Sequence, residues 1–245
     1  MKKRLSAVLF DIEGVLSRGS RDPVKPLFFH HIQNGTHKVP FGVCTGRQQP
    51  YVERVLQELG PRAMEIPSIV ENGCFLVLGA QFVPHPALVG HEEEFAGLKR
   101  TLESHFAGRA VVLRGKEVCV SLRPKSSSVE ALYEQVRRVV EKDIMWARIT
   151  QVAHSSTAVD ITPAGVDKGT GFECWCKYTN IDDSNVLVVG DANNDLPILT
   201  RAGVPACPAN GSEEVKKVVR ARGGYVAQES YEGGTLEILK YFDVI

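Results

Sequence analysis

Residues 7–15 read Ala7-Val8-Leu9-Phe10-Asp11-Ile12-Glu13-Gly14-Val15. Four apolar residues in unbroken succession, halted by a carboxylate, suit a short strand buried on both faces of a parallel sheet. A strand with one wet face would alternate instead. Two further runs repeat the pattern: Val39 to Cys44 stops at Thr45-Gly46-Arg47, and Val186-Leu187-Val188-Val189 stops at Gly190-Asp191. Helical spacing lies between them. Tyr51, Val52, Val55, Leu56 and Leu59 form one helix ended by Gly60-Pro61, and Leu196, Ile198 and Leu199 a short one ended by Gly203. Val215, Val218 and Val219 mark another, and Leu236, Ile238 and Leu239 a C-terminal one. Strands alternating with helices specify an α/β layered fold, and the polar residues fall at strand ends, where open α/β sheets bind ligands.

The middle of the chain has another rhythm. A helical stretch from His91 to His105 precedes two strand-like runs, Ala110 to Leu113 and Val118 to Val120, joined by a hairpin-like Arg114-Gly115-Lys116-Glu117. A second helix spans Ser128 to Glu141, and two more strands are expected near Met145 to Val152 and Thr157 to Ile161. Helix, two strands, helix, two strands is an α+β unit with its own sheet. Pro84-His85-Pro86 and Thr162-Pro163-Ala164-Gly165 bracket it. The expected organisation is therefore a core of residues 1–83 plus 162–245 split by an inserted domain of residues 84–161.

Composition excludes several classes. With 245 residues, 43% of them hydrophobic and 24% charged, the chain has material for a substantial core and no disordered or fibrous bias. Lys plus Arg and Asp plus Glu each number 29, so the formal net charge is zero, which argues against a general nucleic-acid or anionic-membrane binder. No run approaches the ~20 apolar residues of a membrane helix. After Met1-Lys2-Lys3-Arg4 the apolar stretch Leu5 to Phe10 is too short for a secretory signal. Six scattered cysteines, with Cys174-Trp175-Cys176 lacking the spacing of a redox or zinc pair, read as small hydrophobes in a reducing, cytoplasmic compartment. Trp146 and Trp175 are expected in the core or at an interface. His30-His31, in an expected helix, has no metal-ligand spacing with another histidine.

Four stations carry chemistry. Asp11 and Glu13 place two carboxylates just past a buried strand, although a polar turn would look the same. Thr45-Gly46-Arg47 offers a hydroxyl and backbone amides before a helix, which suits an anion. Asp167-Lys168-Gly169 puts a cation at a helix start against the macrodipole, which hints at an anionic ligand. Gly190-Asp191-Ala192-Asn193-Asn194-Asp195 concentrates oxygen donors of the kind that hold a hard cation.

Taken together and in this order, the stations resemble the haloacid dehalogenase superfamily of phosphohydrolases. Its four motifs match Asp11-Ile12-Glu13-Gly14, Thr45, Lys168 and Gly190-Asp191-x-x-Asn194-Asp195. The insert resembles the C2-type cap of that family, and the likeness runs from near Lys2 to the end of the chain. Gly233-Gly234-Thr235 is similar to its sugar-phosphatase and phosphoglycolate-phosphatase members, and the chain as a whole resembles these and the sucrose-phosphate phosphatases. The resemblance implies a Rossmann-like parallel-sheet core with an inserted α+β cap, and a Mg2+-dependent phosphatase acting on a small phosphorylated metabolite.

By the same resemblance Asp11 is the nucleophile that forms an aspartyl-phosphate, and Glu13 and Lys168 are its catalytic companions. Asp11, Glu13 (through its backbone carbonyl) and Asp191 hold Mg2+, with Asp195 orienting a bound water. Thr45, Gly46, Arg47, Lys168 and Asn194 contact the phosphorylated substrate. A carboxylate attacks a phosphate dianion only if cations neutralise the repulsion, and Lys168 with Mg2+ can do so.

Glu13 departs from the family pattern, in which Asp is usual as the general acid and base. One extra methylene moves the carboxyl by about 1.5 Å, on the scale of ~1 Å errors that catalysis feels. A phosphohexomutase and a catalytically weak phospho-ligand-binding protein are the two alternative functions. Arg114, Lys116, Arg123 and Lys125 are the cap's candidate substrate contacts, with Arg123-Pro124-Lys125 expected in a loop. The chain is expected to act as a monomer or homodimer.

Overall fold

Five parallel strands carry the polar stations. They are β1 (Ala7–Phe10), β2 (Phe41–Val43), β10 (Val186–Val189), β11 (Val204–Cys207) and β12 (Tyr225–Val226), in spatial order β12-β11-β10-β1-β2. The structure, a computed structural model, describes residues 4–19, 32, 39–154 and 157–245. His30-His31 and Lys2 lie outside the described residues.

Both faces of this sheet are covered, which is why its strands read as unbroken apolar runs. Ala7, Leu9, Val186 and Val188 pack on one side against Phe172 and Trp175 of helix α5 (Lys168–Thr179). Val8, Phe10, Leu187 and Val189 pack on the other against Val52, Val55 and Leu59 of α1 (Gln49–Leu59) and Ile238 and Leu239 of α8 (Tyr231–Tyr241). Each fully buried Val, Leu, Ile or Phe among them contributes about 1.5–3 kcal/mol. Trp175 is a core residue: it is fully buried, and its indole N–H donates to the Pro67 carbonyl at 2.6 Å.

Register sets the position of the stations. Phe10 lies opposite Val43 on one neighbour and Val189 on the other, so Asp11, Thr45 and Asp191 leave the sheet along the same edge. The expected strands at 7–10, 39–44 and 186–189 are present. The sequence reading did not include β11, β12 or a three-stranded antiparallel sheet of β3 (Ser68–Val70), β4 (Phe75–Leu78) and β5 (Gln81–Pro84). Pro205 sits within β11 opposite Val188, and a proline in a short run argues against a strand when the sequence is read alone.

The insert forms a third sheet, four-stranded and antiparallel, of β6 (Ala110–Val112), β7 (Val120–Pro124), β8 (Thr150–His154) and β9 (Val159–Pro163), ordered β6-β7-β9-β8. One face packs Val120, Leu122, Val159 and Ile161 on Phe95, Leu98 and Leu102 of α2 (Glu92–His105) and Leu132 and Val136 of α3 (Val129–Lys142). The chain is thus an α/β protein with an inserted α+β cap.

Three local expectations are corrected. Residues 145–149, expected as strand, belong to helix α4 (Ile144–Ile149). The Asp143 carboxylate accepts the N–H groups of Met145 and Trp146 at 2.9 and 3.1 Å, a cap that starts a helix there. Arg123 and Pro124, expected in a loop, are the last residues of β7, where Arg123 pairs with Val111. Val118 and Cys119, expected as strand, lie before it because their N–H groups go to the Glu71 carboxylate at 3.1 and 3.0 Å. No helix among the described residues is long and apolar enough to cross a membrane, and the six cysteines are free.

Candidate active site

Lys168 is the first residue of α5, and the preceding Asp167 side chain accepts the N–H groups of Gly169 and Thr170 at 2.8 and 2.9 Å. This cap fixes the helix start beside the sheet edge. The Lys168 ammonium, only 1% exposed, lies 3.0 Å from Asp11 Oδ1 and 2.6 Å from Asp195 Oδ1. Burial by itself would lower its pKa, but Asp11 and Asp195 hold it well above the ordinary value, so the ammonium is charged.

The acids respond in the opposite sense. Burial pushes Asp11 up to about 7 against the opposing pull of Lys168, with Asp195 and Glu13 adding to the rise. Burial, then Asp195 and Asp11, push Asp191 up to about 8. Asp11, Asp191 and Asp195 each bring an oxygen within 4.8 Å of the others. Among the described residues Asp191 Oδ1 is buried with no hydrogen-bond partner. A set of hard oxygens with one left unsatisfied fits a divalent cation such as Mg2+. Asp195 is already engaged: Oδ1 takes Lys168, and Oδ2 takes the N–H groups of Asp191 and Ala192, both at 3.0 Å. Its contribution is therefore to hold the loop and the ammonium in place. Gly14 is required here, with φ +86° and the site of a Cβ only 2.0 Å from Asp191 Oδ2.

Thr45 is fully buried at the end of β2; its N–H donates to the Ile69 carbonyl at 2.9 Å and its Oγ1 accepts from the Arg47 N–H at 3.3 Å. Gly46 lies against the Asn72 side chain. Arg47 forms a close ion pair with Glu13 and stacks over the Tyr51 ring at 4.9 Å. Asn194 lines the same cavity from the β10 loop. Of the expected site residues, Asp11, Glu13, Gly46, Arg47, Asp191 and Asn194 line one cavity, Lys168 and Asp195 are bonded behind Asp11, and Thr45 is buried beside Arg47; the structure adds the pairing of Glu13 with Arg47.

Other site residues were missed in the sequence. Glu71 and Asn72 both adopt left-handed backbone, φ 50° and 57°, before Gly73. Glu71 accepts the N–H groups of Glu117, Val118 and Cys119 at 2.7, 3.1 and 3.0 Å, fastening the cap loop to the core. Asn72 lines the cavity, and its buried Oδ1 has no partner among the described residues. The polar Glu71-Asn72-Gly73 between apolar runs was the available signal. Asn210 donates to the Gly14 carbonyl at 2.9 Å and accepts from the Tyr231 N–H at 2.7 Å. Thr235 Oγ1 donates to the Val15 carbonyl at 2.8 Å, which gives Gly233-Gly234-Thr235 its role: it braces the loop that carries Asp11.

The cap encloses this edge, leaving a cavity of about 630 Å3 with the carboxylates at one wall and Ser121, Arg123 and Asp160 at the other. Of the four cap bases expected to contact substrate, Arg114, Lys116 and Arg123 line the cavity and Lys125 does not. Lys116 is committed within the cap, bonding Ser121 at 2.5 Å and Asp160 at 3.4 Å.

A family model described as haloacid dehalogenase-like hydrolase matches residues 117–238. The chain is 28% identical to a phosphoglycolate phosphatase of Methanopyrus kandleri, over 87% of this chain and 88% of that one. It is 27% identical to one of Aeropyrum pernix, over 81% and 76%. Among solved structures, a Thermoplasma acidophilum protein superposes with a TM-score of 0.78 at 18% identity, covering 99% of this chain and 100% of that one. The sucrose-phosphatase of Synechocystis sp. PCC6803, in complex with sucrose and phosphate, superposes with a TM-score of 0.72 at 17% identity, covering 99% of both. These two structures share the fold.

Proposed function

The chain belongs to the haloacid dehalogenase-like hydrolases and is a phosphatase of that superfamily, and on that premise we propose that it hydrolyses a small phosphorylated metabolite of the sugar-phosphate or phosphoglycolate class through an aspartyl-phosphate. The observation that carries this reading is Asp11 lining a capped cavity with the buried Lys168 ammonium held 3.0 Å from its carboxylate. An Asp11 oxygen attacks phosphorus, the P–O bond to the alcohol breaks, and a proton from Glu13 completes the leaving alcohol. Glu13 then takes a proton from the water that attacks the phosphoenzyme, releasing phosphate and restoring Asp11. Lys168, Thr45, the Gly46 amide, Arg47 and Asn194 hold the phosphoryl oxygens and offset their charge. Residues 84–161 serve as the cap over residues 1–83 and 162–245, the last cap strand continuing to Pro163. The setting is the cytoplasm, as a monomer or homodimer.

Asp11, the Glu13 carbonyl and Asp191 would hold Mg2+, with Asp195 behind them. The ion would supply charge neutralisation for the phosphoryl group. Because Asp11 and Asp191 titrate near 7 and 8 in the metal-free protein, protons compete with the ion. Mg2+ affinity should therefore rise between pH 6 and pH 9, with proton uptake by buffer on binding. Titration calorimetry in buffers of different ionisation enthalpy reads this directly, and a pH-independent affinity would exclude these ligands.

The function is tested by phosphate release from phosphoglycolate, hexose and disaccharide phosphates and an aryl phosphate, with Mg2+ and with EDTA. Release that EDTA abolishes is expected. No release from any of them would favour a mutase or a binding protein.

The ion pair with Arg47 is the observation that favours slow turnover, since it occupies the Glu13 carboxylate. Glu13→Gln keeps an acceptor for Arg47 and removes the proton, so kcat should fall by about 10^2- to 10^4-fold with the fold intact. An unchanged kcat would reduce Glu13 to a partner of Arg47.

A further inference from the structure

Three of the cations at the cavity are spent on carboxylates, whereas Arg114 and Arg123 on the cap side form no ion pair among the described residues. Arg47 is paired with Glu13, Lys168 with Asp11 and Asp195, and Lys116 with Asp160. Arg123 lines the cavity, yet its Nε is buried with no hydrogen-bond partner, and it forms no ion pair among the described residues. It stands on β7 two residues beyond Ser121, on the cavity face of the sheet. The alternate residue Leu122 is buried with the helices on the other face. Its backbone is held by pairing with Val111, so the residue belongs to a sheet and not to an adaptable loop.

A buried guanidinium N–H without an acceptor is an uncompensated donor, and its fork matches a planar carboxylate or two phosphoryl oxygens. We propose that Arg123 holds a second anionic group carried on the leaving alcohol, so that phosphate esters of acidic alcohols are preferred to those of neutral ones. This rests on the phosphatase reading and names its substrate class. The reacting phosphate sits at the Asp11–Lys168 wall and the second anion at the cap wall, and Arg123 is a specificity-determining residue that takes no part in the proton transfers. Arg114, also lining the cavity, adds positive potential on the same side.

The experiment compares four esters on the full chain with Mg2+: 2-phosphoglycolate, the similarly sized neutral 2-hydroxyethyl phosphate, ethylene glycol bisphosphate, and p-nitrophenyl phosphate. Arg123→Gln should lower kcat/KM for the better of the two anionic esters by about 10- to 150-fold, the range of a hydrogen bond to a charged group. The neutral and aryl esters should change by less than about threefold, which also shows the variant to be folded. Arg123→Lys should recover part of the loss, since it keeps the charge and loses the fork. Whether phosphoglycolate or the bisphosphate is the ester affected identifies the anion as carboxylate or phosphate. Equal losses on charged and neutral esters, or no loss, would overturn the role of Arg123 while leaving the phosphatase reading standing. Absence of turnover of all four esters by the unmodified protein would overturn both.

Discussion

On the proposed mechanism Asp11→Asn is expected to abolish phosphate release, lowering kcat by on the order of 10^4- to 10^6-fold, as removal of a nucleophile does elsewhere. The side chain keeps its size, its contact with Lys168 and its place at the end of β1, so the loss is chemical: an amide oxygen does not displace an alcohol from phosphorus at a useful rate. Stability moves the other way. Asp11 has a folded-state pKa of about 7 against an ordinary 3.8, so its ionisation opposes folding. That opposition is absent below about pH 4 and grows as pH rises towards 7. The metal-free variant should therefore unfold at a higher temperature than the unmodified protein at pH 8, and the difference should shrink at pH 5. Thermal unfolding in EDTA at the two pH values, beside a phosphate-release assay, checks both halves. Residual turnover within tenfold of the unmodified protein would remove Asp11 from the nucleophile's position.

Lys168→Met has the other large effect, on activity and stability together. The ammonium is 1% exposed and touches two carboxylates that are themselves 8% and 2% exposed. Breaking a buried pair by deleting one member typically destabilises by about 3–5 kcal/mol. On the proposed mechanism the variant also lacks the cation that would offset the phosphoryl charge, and a loss of at least ~10^3-fold in kcat is expected. The destabilisation depends on pH. Without the lowering pull of Lys168 the Asp11 carboxyl rises further in pKa, so at pH 5 Asp11 is neutral and the deficit is smaller, while at pH 8 it is close to its full value. Urea unfolding in EDTA at both pH values measures it. Equal stability of variant and unmodified protein at pH 8 would mean that Lys168 does not compensate Asp11 and Asp195.

The site was legible in the sequence where it is local. Asp11, Thr45 and Asp191 each follow an apolar run, and a strand buried on both faces needs no partner information to be read. Lys168 and Asp195 lie within short polar signatures at helix starts. The strand at Val204–Cys207 was not legible because Pro205 removes a donor that a sheet normally uses. The helix at Ile144–Ile149 was hidden because its apolar residues also fit a strand, and the cap from Asp143 decided between them.

Contacts between distant segments stayed out of reach. Glu71 meets the N–H groups of residues 117–119, 46 to 48 positions along the chain, and nothing in either segment names the other. The pairing of Glu13 with Arg47 likewise depends on how the β1 and β2 loops face each other. By itself the sequence determined the layered α/β core, the inserted α+β unit and the order of the acidic and basic stations, because apolar periodicity and turn chemistry act over a few residues. Only the tertiary structure decided which charges are spent on one another and which, such as Arg123 Nε, are left without an acceptor among the described residues. That is a property of burial and of approach across the fold, where the low dielectric makes each missing partner count.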